Sequence, residues 1–366
     1  MKVGFFSPLP PERTGVADYS GALLAELRRY GRVEVAPHHS DVALYHLGNN
    51  GLHAAIYRRA IDQPGVVVLH DAVLHHFALG AFSESQYVQE FVYNYGEWTR
   101  SLAGELWRMR GASGSDARYF DYPLLKRIAE RSRAVVVHNP AAHDAVKRHA
   151  PEAHVVEIPH LFREPPAVSL AETIRYRQRL GLSPDTFLFG VLGYLRESKR
   201  VAAVLEVFRR VHREVPRARL LVAGQFVSSD LERAVRPLLN EPGILRLPFL
   251  PESGFWQAAH ALDACINLRW PPTGETSGIA IRLMGIAKPV FVTDGLESSR
   301  FPEDACLRVA AGLAERESLH LLMILLTSFS GVAGAIGDRG AGHIRAHHRV
   351  EEAAKRYWGL LCECCT

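Results

Sequence analysis

Short apolar runs recur along this chain, and between them lie stretches whose apolar positions fall three and four apart. Val3-Gly4-Phe5-Phe6 is the first run, and Val42–His46, Val66–His70, Ala134–His138 and His154–Ile158 follow it. Helical periodicity is expected over Asp18–Tyr30, Leu52–Ile61, Ala72–Phe82 and Pro140–His149. From 84 to 133 the pattern is helical only, as an insertion would be. The stretch PHLFREPPAVS, Pro159–Ser169, carries paired prolines and no period, which marks a linker. Alternation then restarts, with strands at Phe187–Leu192, Ala218–Ala223, Ile244–Leu247 and Ala264–Leu268. Helices are expected at Lys199–Val215, Leu231–Leu239 and Gly254–His260.

Repeated strand–loop–helix units of this length build a parallel sheet covered on both faces. The fold class expected is therefore α/β, with two Rossmann-like, doubly wound domains facing a cleft. Their bounds are 1–164, with the helical insertion at about 84–133, and 170–340. A last segment, 341–366, holds a helix over Ile344–Leu361 that packs back on the first domain. In open sheets of this kind ligands bind beyond the carboxyl ends of the strands.

The segment RWPPTGETSGIAIRLMGIAKPVFVTD, Arg269–Asp294, carries the densest chemistry. Pro271, Pro272, Thr273 and Gly274 form a loop, Thr276 or Ser277 can cap a helix, and Ile279, Leu283, Met284 and Ile286 recur at helical spacing. Lys288-Pro289 ends that helix, before the strand Val290–Val292. A helix N-terminus reached through small residues is an anion site, and Gly278 lets an anion approach the backbone. Glu275 is either a cap or an acceptor for sugar hydroxyls. In GVLGYLRESKR, Gly193 follows a strand, and Arg196, Lys199 and Arg200 crowd a helix start where cations oppose the dipole unless an anion binds between them. Lys199, on a loop or helix start, is not expected in the core. Upstream, Thr14-Gly15-Val16 follows the first strand. His70-Asp71 closes the run VVVLH, where Asp71 either orients the imidazole or caps the next helix.

Composition narrows the classes. A chain of 366 residues has room for two ordinary domains, and 48% hydrophobic against 22% charged residues is globular. A formal charge of +4 without a basic run argues against nucleic acid. No apolar run reaches the ~18 residues of a membrane span. Met1-Lys2 leads straight into a strand, and five cysteines, three of them Cys362, Cys364 and Cys365, make no disulfide framework. A cytoplasmic protein is expected, with no metal site.

With these residues assembled, the chain resembles the family-4 retaining glycosyltransferases of GT-B fold, in their bacterial polysaccharide and lipopolysaccharide branch. The likeness runs through SPLPPERTGVADYS, YHLGNN, VVVLHD, GYLRESKR and PTGETSGIAIRLMGIAKPVFVTD. It departs from the family at Tyr194, where Arg is frequent, and at Arg282 and Gly274, where many members have glutamates. The resemblance implies transfer of a hexose from a GDP- or UDP-sugar to a saccharide or lipid-linked acceptor, with retention, without metal and with no cofactor beyond the nucleotide sugar. His70, Lys199 and Glu275 would be catalytic. Gly15, Gly193, Arg196, Arg200, Thr276, Ser277, Gly278 and Arg282 would hold the donor, and Thr14, Asp71 and Asn49 the acceptor. Two other classes stand beside it: a non-catalytic nucleotide-sugar-binding subunit, and a dinucleotide-dependent oxidoreductase, which lacks its Gly-x-Gly-x-x-Gly. A lipid-linked acceptor implies peripheral contact with the inner membrane face. In EWTRSLAGELWRMRG, Trp98, Leu102, Leu106 and Met109 recur at helical spacing beside Arg100, Arg108 and Arg110, as in a helix lying in a bilayer interface.

Overall fold

The structure, a computed structural model, describes residues 1–12 and 14–365, the side chain of Ser330 excepted. Arg13, within the first loop of the resemblance, lies outside the described residues. The chain divides into two compact units. One comprises Met1–Leu161, Pro271–Gly278 and His348–Thr366; the other comprises Phe162–Trp270 and Ile279–His347.

The first unit is built on six parallel strands: β1 (Lys2–Phe6), β2 (Arg32–Val35), β3 (Val42–Leu47), β4 (Val66–Leu69), β5 (Ala134–Val137) and β6 (Val155–Glu157). Their order is β2-β1-β3-β4-β5-β6. The central strands read as unbroken apolar runs because both faces are buried. Val3, Phe5, Val42, Leu44, Val66, Val68, Ala134 and Val136 enter one core. Their alternates Phe6, Tyr45, Leu47, Val67, Leu69, Val135 and Val137 enter the other. The first core is closed by the helices Gly15–Leu27 and Val350–Glu363, whose Tyr19 and Tyr357 hydroxyls meet at 2.8 Å. The second is closed largely by the inserted helices, which bury Tyr87, Phe91, Ala103, Leu106 and Tyr119.

The second unit repeats the plan with β7 (Phe187–Leu192), β8 (Ala218–Ala223), β9 (Ile244–Leu247), β10 (Ala264–Asn267), β11 (Val290–Thr293) and β12 (Leu307–Val309). These are also all parallel, in the order β12-β11-β10-β7-β8-β9. The helix Gly278–Gly285 precedes β11 and ends in a Schellman-type turn. Ala287 takes φ 59°, and its N–H and that of Lys288 bond the carbonyls of Met284 and Leu283.

Several elements differ from expectation. The edge strands β2 and β12 are short, four and three residues, and RVEV carries too few apolar residues to stand out. Helices at Leu170–Arg179 and Glu315–Ser328 have no counterpart in the expected pattern. The single helix expected over Ile344–Leu361 is broken: one helix ends at His347 and the next begins at Val350. His348 sits in the break, its Nδ1 2.6 Å from the His160 carbonyl. No single helix among the described residues is long and apolar enough to cross a membrane.

Candidate functional site

In an open parallel sheet the ligand end is the carboxyl end of the strands, at the point where strand order reverses. In the first unit that point lies between β1 and β3. Gly15 opens the helix after β1, and a Cβ there would meet nothing within 4 Å. Thr14 caps that helix, its Oγ1 accepting from Ala17 N at 3.0 Å. Its hydroxyl oxygen accepts within the chain, and the O–H remains a donor. After β3, Asn49 Oδ1 accepts from Phe77 N at 2.8 Å, and Nδ2 lies 3.3 Å from His76 Nδ1. The Asn49 side chain therefore takes up a first-turn N–H of the helix His75–Ala81. Asp71 Oδ2 accepts from Asn49 N at 3.0 Å, so Asp71 pins the two loops together.

His70 follows β4 directly and is 8% exposed. Asp71 does not orient it; His46 does, with His46 Nδ1 3.0 Å from His70 Nε2. Its ring lies edge-on to Tyr19 at 4.8 Å between centroids and 5.2 Å from that of His138. Burial holds His46 and His70 well below the usual imidazole range, and neighbouring imidazoles push the same way. His53 and His138 are lowered to about 4 by the same desolvation. Although histidines crowd this edge, no group of three or more His, Cys, Asp or Glu among the described residues is placed to hold a metal ion.

The GETSG loop packs on the same edge. Asn139, which follows His138, donates from Nδ2 to the Gly274 carbonyl and to Thr276 Oγ1, both at 2.8 Å. Ala72 N donates to the Thr273 carbonyl at 2.8 Å. Gly274 takes φ 68°, and a Cβ there would come 2.6 Å from Ala72 Cβ, so glycine is required by conformation and by space. Gly278 lies against His160: a Cβ would sit 3.3 Å from its Nε2. Ser277 is buried and Glu275 half-buried.

In the second unit the order reverses between β7 and β10. Gly193, at φ 86°, follows β7, and Gly224, at φ 152°, follows β8. A Cβ on Gly224 would fall 1.8 Å from the Gly193 carbonyl oxygen, so the two backbones cross in contact. Lys199 is 7% exposed, contrary to the loop-surface expectation, and its Nζ donates to the Leu192 carbonyl at 2.8 Å. That nitrogen would be 3.3 Å from a Cβ on Gly193. Trp270 N donates to Ser198 O at 2.8 Å, tying the loop after β10 to the one after β7. A buried ammonium is thus fixed at the switch point. The other cations are differently placed. Arg200 grips the buried Glu315 through Nε and Nη2 at 2.8 to 2.9 Å, so its charge is matched inside the unit. Arg282 reaches Glu252 at 2.5 Å and lies over the Phe255 and Trp256 rings at 4.0 and 4.4 Å. Arg196 is exposed.

No family model matches the chain, and no curated protein matches it. Solved structures do. Sucrose-phosphate synthase from Thermosynechococcus elongatus aligns with TM-score 0.69 and 15% identity over 99% of this chain and 98% of that one. HepE from Anabaena, in complex with UDP and glucose, aligns with TM-score 0.68 and 14% identity over 99% and 100%. WaaG, a glycosyltransferase involved in lipopolysaccharide biosynthesis, aligns with TM-score 0.64 and 14% identity over 97% and 99%. The fold is that of the GT-B glycosyltransferases. At such identity the likeness establishes the fold alone. The residues of this GT-B chain that sequence reasoning missed are His46, His138, Asn139 and Gly224. A signal was present: the runs ending YHL, VVLH and VVVHN each place a histidine near the carboxyl end of a strand.

Proposed function

We propose that the chain is a glycosyltransferase that moves a hexose from a UDP- or GDP-sugar to a saccharide or lipid-linked acceptor, with retention and without a metal. The observation that carries this reading is Lys199, a buried ammonium held beside Gly193 at the switch point of the second sheet. An ammonium held in place there suits a diphosphate leaving group. As the bond from the anomeric carbon to the phosphate oxygen breaks, negative charge grows on the β-phosphate, where a fixed cation stabilises it most. The acceptor hydroxyl forms the new bond and its proton passes to the departing phosphate. HepE has been solved with UDP-glucose, which supports a nucleotide-sugar donor for this chain.

The cation set of this reading is Lys199 with Arg196. Arg200 and Arg282 shape the unit through Glu315 and Glu252. His70 offers its ring to the donor sugar, and Glu275 serves its hydroxyls. Work on a lipid-linked acceptor would be peripheral at the inner membrane face, and Trp98, 80% exposed, is the docking residue. Leu106 of the expected apolar stripe is fully buried, so docking falls to Trp98 and Met109. Incubation with a panel of nucleotide sugars and acceptors, read by mass spectrometry, tests the reading. Binding of a nucleotide sugar without turnover would favour the non-catalytic subunit.

A further inference from the structure

The two-residue period of a strand sends alternate side chains to one face. His46 follows Val42 and Leu44 in that alternation, His70 follows Val66 and Val68, and His138 follows Ala134 and Val136. All three therefore belong to the face that carries Tyr19, and their rings gather round it. Each neutral imidazole has one N–H and one bare nitrogen, and which is which follows from the partners. His53 Nδ1 lies 2.9 Å from the His46 carbonyl and His138 Nδ1 2.8 Å from the Ile158 carbonyl. A carbonyl can only accept, so both rings carry their proton on Nδ1 and leave Nε2 bare.

His46 and His70 face each other through Nδ1 and Nε2, and only one proton can lie between them. If His70 donated, His46 would carry its proton on Nε2, a fully buried atom with no protein partner among the described residues. A buried orphan N–H is among the rarest defects in folded proteins, and a bare nitrogen without a donor is better tolerated. If His46 donates, its Nε2 is bare, in line with His53 and His138. His70 Nε2 then accepts, and the neutral ring must hold its proton on Nδ1. His70 has no hydrogen bond to Asp71, and its Nδ1 bonds no group of the chain among the described residues.

We infer that His46 is a positioning residue that locks His70 in its Nδ1–H tautomer, so that His70 donates a hydrogen bond to an oxygen of the bound ligand and cannot serve there as a base. The ligand class is an oxygen acceptor, a sugar hydroxyl or a phosphate oxygen. Only this ligand assignment rests on the glycosyltransferase reading; the tautomer does not.

The test uses the intact chain labelled with 15N at histidine. Long-range 1H–15N correlation at pH 7.5, with His70→Gln for assignment, should show His70 neutral and protonated on Nδ1. Finding it protonated on Nε2 in the wild type overturns the inference, whatever the activity. In His46→Phe, checked for folding by circular dichroism, the His70 signal should move to the other tautomer or to a mixture. An unchanged His70 signal in that variant removes the positioning role. His46→Asn places an amide N–H near the lost Nδ1–H and should restore the wild-type signal. With a working donor, kcat/KM should fall about tenfold in His46→Phe and recover in His46→Asn, the scale of one hydrogen bond. A chain inactive with every donor would refute the transferase reading and leave the tautomer result standing.

Discussion

Acid should unfold the first unit before the second, and the histidines set the scale. His53 and His138 have pKa values lowered to about 4 and His75 to about 3, all by burial. In the unfolded chain each returns to 6.5. Below that value the unfolded state binds protons that the folded state refuses, so stability falls as pH falls. The loss begins near pH 6.5 and runs to about 4, where His53 and His138 charge in the fold. Between pH 7 and 5 linkage gives a loss of roughly 2 kcal/mol for each of the three, about 6 kcal/mol together. His46 and His70 add in the same direction. A domain of ordinary stability has about 5–15 kcal/mol to lose, so the first unit should be marginal near pH 5. Scanning calorimetry from pH 7.5 to 5, with hydrogen exchange read by mass spectrometry, would follow this. Exchange at pH 5 should rise first in β3, β4 and β5 and in the helix Gly15–Leu27. Melting at pH 5 within a degree or two of that at pH 7.5, or exchange rising first in β7 and β8, would refute the reasoning.

Four further outcomes follow from the same contacts. Lys199→Met keeps the buried stem and removes the charge; turnover should fall by about two orders of magnitude, roughly 3 kcal/mol, and unchanged kinetics would return Lys199 to a packing role. Gly224→Ala forces a methyl onto the Gly193 carbonyl and should cost at least about 2 kcal/mol, visible as a lower denaturant midpoint; an unchanged midpoint would mean that the crossing is loose. Activity should withstand a chelator, and the new linkage should keep the donor's anomeric configuration by NMR; inversion or loss with chelator contradicts either half. The wild type should pellet with anionic liposomes at low salt and Trp98→Ala should not, whereas equal pelleting would show that Trp98 is not the docking residue.

The apolar runs made the central strands legible, because strands buried on both faces leave no polar interruption. β2 and β12 were not, since an edge strand such as RVEV or LRV is too short for a pattern to rise above the local composition. The break at His348 was also hidden, for the residue there bonds the distant His160 carbonyl, a contact that no local pattern carries. At the site, Gly193, Gly278 and Lys199 could be singled out because conformation and charge leave local marks, whereas the crossing of Gly224 on Gly193 shows only once β7 and β8 are known to be neighbours. The engagement of Arg200 by Glu315 could not, for the two are brought together only by the packing of distant helices. Asn49 shows the same limit, since its bond with Phe77 N spans two loops. The histidine face lay in plain alternation, yet it is meaningful only once β3, β4 and β5 are known to be neighbours.

The central claim is that a sugar leaves a nucleotide diphosphate and joins an acceptor on this chain, with Lys199 answering the charge. Its most direct test is product analysis by mass spectrometry with UDP- and GDP-hexoses, run in parallel on the wild type and Lys199→Met. The account predicts an acceptor heavier by one hexose, an equal amount of nucleoside diphosphate released, and both nearly lost in the variant. Nucleotide sugar bound tightly with neither product formed, across donors and acceptors, would contradict it.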